Sequence, residues 1–350
     1  MSRRRSWRRV AQGVGFLIGL GLLGWCVSVA LSEQNREQLT RLLDASAWQV
    51  VLLLACSVGT LVFNGLIFWV TLLPIKRTGV VYILSVNSVV TLLSYAPFKI
   101  ALAFRVLVHH RIDRVPLLTI GAWFTVIGVL TATVLVPAIG ASLIFEGGTA
   151  LWWGAWIGGA ALLTGLSIAV ARIFAGDRGW ERLIGLMGKV GLGFLVRWLG
   201  TEHGRKIHAG VDMLAHTRAS SVAGVFRVMD ILVQAVRVLV AAEILGIEMG
   251  WGAAMVIAST YYLIGMLSPI GMLGPRESGI AGVAALAGMS GAGGAESILL
   301  VGVLISATEA FVNLAGGGLG AAYLRVDRWL LKSGMGGSGV DEESSDATGV

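Results

Sequence analysis

Apolar residues run on along this chain where a soluble protein would interleave them with polar ones. Soluble elements show one face to water, so polar positions recur every second residue in strands and every three or four in helices. Here six stretches are apolar over most of their length: Val10–Leu31, Trp48–Leu73, Val115–Ile139, Leu151–Ile173, Val222–Leu245 and Ser297–Ala322. Each reaches the roughly 20 residues that a helix needs to cross a bilayer. Two more apolar stretches are interrupted: Val80–His109 around Pro97, and Gly252–Ala287 over Pro269–Pro275. The pattern predicts an all-α polytopic membrane protein with about six full spans.

Positive charge orients these spans, because cytoplasmic loops are enriched in Lys and Arg. Five arginines precede Val10, Lys76 and Arg77 follow the second span, and eight Lys or Arg lie between Arg172 and Arg218. Arg325, Arg328 and Lys332 follow the last span, which places both termini in the cytoplasm. The opposite loops carry only Arg36 and Arg41 among several acids. With Lys76 and the "HHRIDR" segment on one side, Val80–His109 must enter and return on that side. By the same reasoning Gly252–Ala287 enters and returns from the other. Both read as re-entrant helical hairpins, giving span, hairpin, span in halves 48–139 and 222–322 with opposite orientation. This is the layout of an inverted-topology repeat, whose interrupted segments point to a transport site. Two short spans in each broken stretch are the alternative.

The pieces are then a basic cytoplasmic N-terminus (1–9), one membrane domain (10–332) and an acidic, Gly/Ser-rich tail (333–350) expected to be disordered. The start resembles a signal peptide with Ser28-Val29-Ala30 as a cleavage site, but its apolar run is long and reads as a retained anchor. Within the 174–221 connector, Trp180, Leu183, Ile184, Met187, Val190, Phe194 and Trp198 recur at helical spacing among Arg182, Lys189 and Arg197. That pattern fits a basic amphipathic helix in the headgroup layer or a connector packed on the bundle.

Composition agrees: 56% of the 350 residues are hydrophobic and 13% charged, with mean hydropathy +0.81. The net charge of +7 sits beside span ends, which argues against a nucleic-acid face. Cys26 and Cys56 lie inside apolar runs and read as small hydrophobes. No metal or cofactor motif is visible: the five histidines fall in loops, and nothing matches GxxxxGK[ST].

The informative residues are charges inside apolar runs. A charge at the centre of a lipid-exposed helix costs about 2.5–3.5 kcal/mol, and freed backbone groups in hydrocarbon add several more. In "SPIGMLGPRESG", Pro269, Gly271, Gly274 and Pro275 break the helix beside Arg276 and Glu277. Such a segment needs protein or a wet cavity around it. On the Val222 span, Arg227, Asp230, Gln234 and Arg237 fall at offsets of three, seven and ten, on one helical face. Glu309 and Asn313 share a face of the last span, and Lys99 and Arg105 follow Pro97. Asn64 and Asn87 are weaker signals, since single asparagines often bond between helices. Arg105 also suits an interfacial position, and the whole set also suits a structural ion network. Cations outnumber carboxylates among these groups, so the expected ligand is an anion, most simply a phospholipid headgroup.

Two segments carry a family resemblance. "YAPFKIALAFRVLVHHRIDRVPLLTIGAW" (Tyr95–Trp123) is similar to the Pro-centred segment of the lysylphosphatidylglycerol synthase transmembrane-region family of flippase-like membrane proteins. "SPIGMLGPRESG" is similar to that family's second glycine-rich segment, and the final span with Glu309 and "NLAGGGLGAAYL" also fits. The family's first motif reads Pro-Gly-basic-x-Gly-Glu-x-x-Arg; Pro97, Lys99 and Arg105 match it, while Phe98, Ala101 and Leu102 replace the glycines and the glutamate. The resemblance implies movement of lipids between leaflets. Aminoacyl transfer, the work of a separate soluble domain in the synthases, is not implied here.

The reading that results is a flippase-like protein of the cell (inner) membrane. It would bind or translocate an anionic lipid headgroup through a polar intramembrane cavity, with membrane lipids as its partners and no cofactor. Its rivals are a membrane-embedded enzyme acting on a lipid-linked substrate, served by the three carboxylates, and a non-catalytic membrane assembly protein.

Overall fold

The structure is a computed structural model that describes residues 40–42, 44–96, 99–191, 193–268, 272, 274–286 and 294–325. The expectations for Val10–Leu31, Pro97, Pro269, Gly271 and the 333–350 tail lie outside these residues. Among the described residues every regular element is a helix. In chain order they are α1 (Ala47–Leu72), α2 (Val80–Leu93), α3 (Ile100–Arg111), α4 (Leu117–Ile144), α5 (Ala150–Phe174), α6 (Gly176–Lys189), α7 (Gly193–Leu199), α8 (Glu202–Ala215), α9 (Thr217–Ile244), α10 (Trp251–Leu267), α11 (Pro275–Leu286) and α12 (Gly294–Leu324).

Four of these, α1, α4, α5 and α12, are long and apolar enough to cross a membrane. Large apolar side chains stay exposed along them, among them Leu162 and Leu166 on α5 and Phe311, Leu314 and Leu319 on α12. A face of that kind is at home in lipid, and the chain is membrane-embedded. The fifth long helix, α9, has the 28 residues of α4 but carries Arg227, Asp230 and Arg237, all buried among its neighbours. Elsewhere α1 begins at a capping box, with Gln49 N–H donating to Ser46 Oγ and Ser46 N–H donating back to the Gln49 side chain.

Both interrupted stretches do stop and restart. α2 ends at Leu93, and α3 is capped by Lys99 at φ 53°, a left-handed conformation that a lysine rarely adopts. α10 ends at Leu267; Gly274, at φ 86°, then turns the chain into α11, whose first residue is Pro275. Proline is at home there because the first helical N–H has no partner to lose. With 14 and 12 residues, α2 and α3 rise only about 21 and 18 Å.

Helix packing relates the two halves contact by contact. If α1, α2, α3 and α4 are exchanged with α9, α10, α11 and α12 in that order, the contacts map onto one another. α1 packs on α9. α2 packs on α12 as α10 packs on α4; α1 packs on α12 as α9 packs on α4; and the pairs within each half match as well. α5 stands apart from this exchange, joining the halves and leaning on α4, α8 and α9.

Connector 174–221 forms three helices instead of one, with a turn at Gly191 (φ 79°). Trp180, Leu183, Ile184 and Met187 are half-buried, while Leu186, Val190 and Phe194 are exposed. α8 packs on α4 and α5, and His208 lies 2.7 Å from the Phe174 carbonyl.

Glycines let α12 approach α2 closely. A Cβ at Gly320 would sit 2.7 Å from the Ser85 carbonyl oxygen, whereas one at Gly318 would meet nothing within 4 Å. Gly320→Val should therefore lower thermal stability in detergent by about 1–3 kcal/mol, the usual cost of overpacking. Gly318→Ala should leave it unchanged, and equal stability of the two variants would contradict this packing.

Candidate functional site

A cavity of about 350 Å³, with charged side chains set in a largely apolar wall, opens where the two breaks meet. The breaks touch each other: Lys99 Nζ donates to the Met266 carbonyl at 3.3 Å, and Ser94 Oγ lies 2.6 Å from Met272 Sδ. α1, α2, α3, α4, α9, α10, α11 and α12 all contribute to the wall. Of the residues singled out in the sequence, Lys99, Arg105, Asp230, Gln234, Arg237, Arg276, Glu309 and Asn313 line it. Arg227 and Glu277 do not. They are fully buried; Arg227 pairs with Asp230 of the wall, and Glu277 bonds to Gly274 and Ser306.

At its centre Glu309 of α12 meets Arg276 of α11 and Arg237 of α9. Arg276 Nη1 donates to both carboxylate oxygens, at 3.3 and 3.2 Å, and Arg237 Nη1 stands 3.7 Å away. Charge-assisted bonds of this type are normally about 2.7–2.9 Å, so the carboxylate is held but not tightly clamped. Tyr261 of α10 donates to Glu309 Oε2 at 3.1 Å and presents its ring to Arg276, centroid 4.5 Å away. Arg276 reaches this position by lying across Gly265, where a Cβ would collide with the guanidinium.

Around this core the polar side chains are held on several helices. Arg227 and Asp230 pair at 2.7 Å on α9, with Tyr262 facing the guanidinium. Arg105 is 4% exposed, so it belongs to the interior and not to an interfacial belt. It donates to Asn87 Oδ1 at 2.5 Å and lies 3.5 Å above the Phe68 ring. Asn87 in turn donates to the Leu61 carbonyl, and Asn313 donates to the Tyr95 hydroxyl at 2.9 Å. Glu277 accepts from Gly274 N–H at 2.7 Å and from Ser306, and so stabilises the break beside it.

The network leaves polar atoms over. Arg105 Nη1, Arg237 Nε and Nη1, Arg276 Nε and Asp230 Oδ1 are buried without a hydrogen-bond partner. Four cations of the wall, Lys99, Arg105, Arg237 and Arg276, face two carboxylates, Asp230 and Glu309. The arrangement can therefore receive oxygen acceptors carrying negative charge. Among the described residues no cluster of three His, Cys, Asp or Glu side chains could hold a metal ion.

Sequence reasoning passed over Tyr261, Tyr262, Tyr95, Phe68, Ser306 and Gly265. The first four look like ordinary apolar-run residues. Ser306, one turn before Glu309 and on its face, was the readable signal. His109 also differs from its expected loop position: it is buried in α3, 2.6 Å from Asp113 and edge-on to Trp123.

Compared with protein-family models, curated proteins and solved structures, the chain matches none. The site has to be interpreted from its own chemistry.

Separating buried charges costs about 3–5 kcal/mol when one partner is left uncompensated. Asp230→Ala, which strands Arg227, should destabilise the detergent-solubilised protein by about that much, and Gly265→Ala, which makes the Arg276 guanidinium shift, by less. Gly282→Ala, with nothing within 4 Å of the new methyl, should melt like wild type. Wild-type melting of Gly265→Ala would show that the Arg276 position does not depend on the missing side chain.

Proposed function

We propose that this protein binds an anionic phospholipid headgroup in the cavity and carries it across the membrane in the manner of a flippase. The observation that carries the reading is the set of buried guanidinium donors without partners on a wall with excess positive charge. A buried donor without a partner costs about 1–3 kcal/mol. Several on one wall favour a guest that brings acceptors over a network complete in itself. Arg is suited to that guest, since its planar fork matches phosphate oxygens.

Geometry supports the transport part of the reading. α2, α3 and α11 are too short to cross the roughly 30 Å hydrocarbon core alone, which favours two hairpins that enter the membrane and return. The exchange relation between the two sets of four helices is what an inverted-topology repeat would produce. In that arrangement the hairpins come from opposite faces, both termini lie in the cytoplasm, and the breaks meet near the middle of the bilayer. Irregular backbone at that depth is tolerated where it lines a cavity. Apolar exposed flanks on α5 and α12 would leave acyl chains in lipid while the headgroup occupies the cavity.

The likeness to the lysylphosphatidylglycerol synthase transmembrane-region family belongs to this proposal. Lys99 and Arg105, which match its first motif, lie on the wall, and so do Ala101 and Leu102, which replace its glycine and glutamate. With leucine at that position the wall has one carboxylate fewer, which suits a guest with more net negative charge.

In proteoliposomes carrying a leaflet-resolved fluorescent phosphatidylglycerol, wild-type protein should move the lipid. Arg237→Ala and Arg276→Ala should each slow it at least about tenfold, as expected for losing one charged hydrogen bond at about 1.5–3 kcal/mol. Rates equal to those of protein-free vesicles for wild type and variants alike would remove the proposal.

A further inference from the structure

The wall contains a hydrogen-bonded chain that an anion site alone does not require. Glu309 lines the cavity, while Glu277 lies behind it, fully buried and without an ion-pair partner among the described residues. Two hydroxyls join them. The Tyr261 oxygen is 3.1 Å from Glu309 Oε2 and 2.7 Å from Ser306 Oγ, and Ser306 donates to Glu277 Oε1. Carboxyl, hydroxyl, hydroxyl and carboxyl are thus in continuous contact, which lets a proton pass without any of them moving far.

The groups facing Glu309 explain when a proton would be needed. Its counter-charges are Arg237 from α9 and Arg276 from α11. α10 presents Tyr261, and the end of α2 presents Tyr95, whose hydroxyl is held by Asn313. α1 and α2 contain no Asp, Glu, Lys or Arg; Cys56 of α1 lies beside Arg237. On α9, Arg227 and Asp230 pair with each other, and Lys99 bonds to Met266. The cations that keep Glu309 ionised, helped by the Tyr261 O–H, are therefore two guanidiniums that line the cavity and have N–H groups without a partner. An anion that accepts from them competes with Glu309 directly. A carboxylate deprived of its cations among apolar helices is neutralised sooner than left charged.

Building on the anion site proposed above, we propose that the cavity takes up its phosphate-bearing anion together with a proton, and that Glu309 receives this proton. An O–H bond forms on Glu309, at the expense of a water proton, as the anion's oxygens replace the carboxylate on Arg237 and Arg276. When the anion leaves and Arg237 and Arg276 return to Glu309, Glu309 gives its proton to the Tyr261 oxygen, Tyr261 gives its own to Ser306, and Ser306 gives its own to Glu277. Three O–H bonds break, three form, and both hydroxyls end as they began. Glu309 is the proton site; Tyr261 and Ser306 pass the proton on; Glu277 stores it.

Calorimetric titration of the full-length protein in detergent tests this with two probes, dihexanoyl phosphatidylglycerol and inorganic phosphate. The phosphodiester does not titrate near neutrality, so its binding heat, measured in buffers of different ionisation enthalpy, reports protons taken up by the protein. The expected result is about one proton taken up per lipid bound, with affinity falling about tenfold per pH unit as pH rises. Glu309→Gln should still bind the lipid with this dependence lost. Tighter binding of the short-chain lipid than of phosphate at one pH identifies the headgroup as the source of the anion; the reverse identifies free phosphate. Binding by wild type without buffer or pH dependence overturns the proton proposal and leaves the anion site standing. Unchanged proton uptake in Glu309→Gln overturns the assignment to Glu309. Failure of both probes to bind wild type overturns the anion site, and the proton proposal with it.

Discussion

One carboxylate holds the centre of this protein together. Glu309 sits on α12, its two cationic partners sit on α9 and α11, and the tyrosine that bonds it sits on α10. Four successive helices are thereby tied at one point inside an apolar bundle. Each charge is tolerable there only because the others are present, since a lone buried ion is among the least favourable things a fold can contain. The helix break follows from the same constraint. Arg276 lies in the first turn of α11, which starts at a glycine and a proline, and its guanidinium reaches Glu309 across a residue without a side chain.

Much of the architecture was legible because hydrocarbon is an unforgiving solvent. Runs such as Trp48–Leu73 and Leu151–Ile173 match α1 and α5 to within a residue at each end, since nothing but length and hydropathy decides them. The ends of α2 and α10 and the restart of α11 at Gly274 and Pro275 fall within the two stretches whose pattern is interrupted. The α9 stripe of Arg227, Asp230, Gln234 and Arg237 follows from helical spacing alone, and the structure buries all four. What spacing could not give is which residues face the cavity and which prop the wall. Arg227 and Glu277 are as charged as Arg237 and Glu309, and only tertiary packing separates their positions.

The order of spans and breaks suggested two related halves, but the helix contacts that relate them could not be read from it. The relation resides in which helix touches which, and residues that satisfy equivalent contacts need not resemble each other in type. Gly265 shows the same limit at the scale of one atom. Its contribution is to leave room for a group that is remote until the chain has folded, and no local pattern marks a glycine needed for that purpose.

The surplus of positive charge in the cavity wall has an electrical consequence. A membrane potential acts on every charge within the bilayer with about 2.3 kcal/mol per elementary charge per 100 mV, if the whole field is crossed. Four cations against two carboxylates on the wall mean that any rearrangement moving the wall along the membrane normal transports net charge.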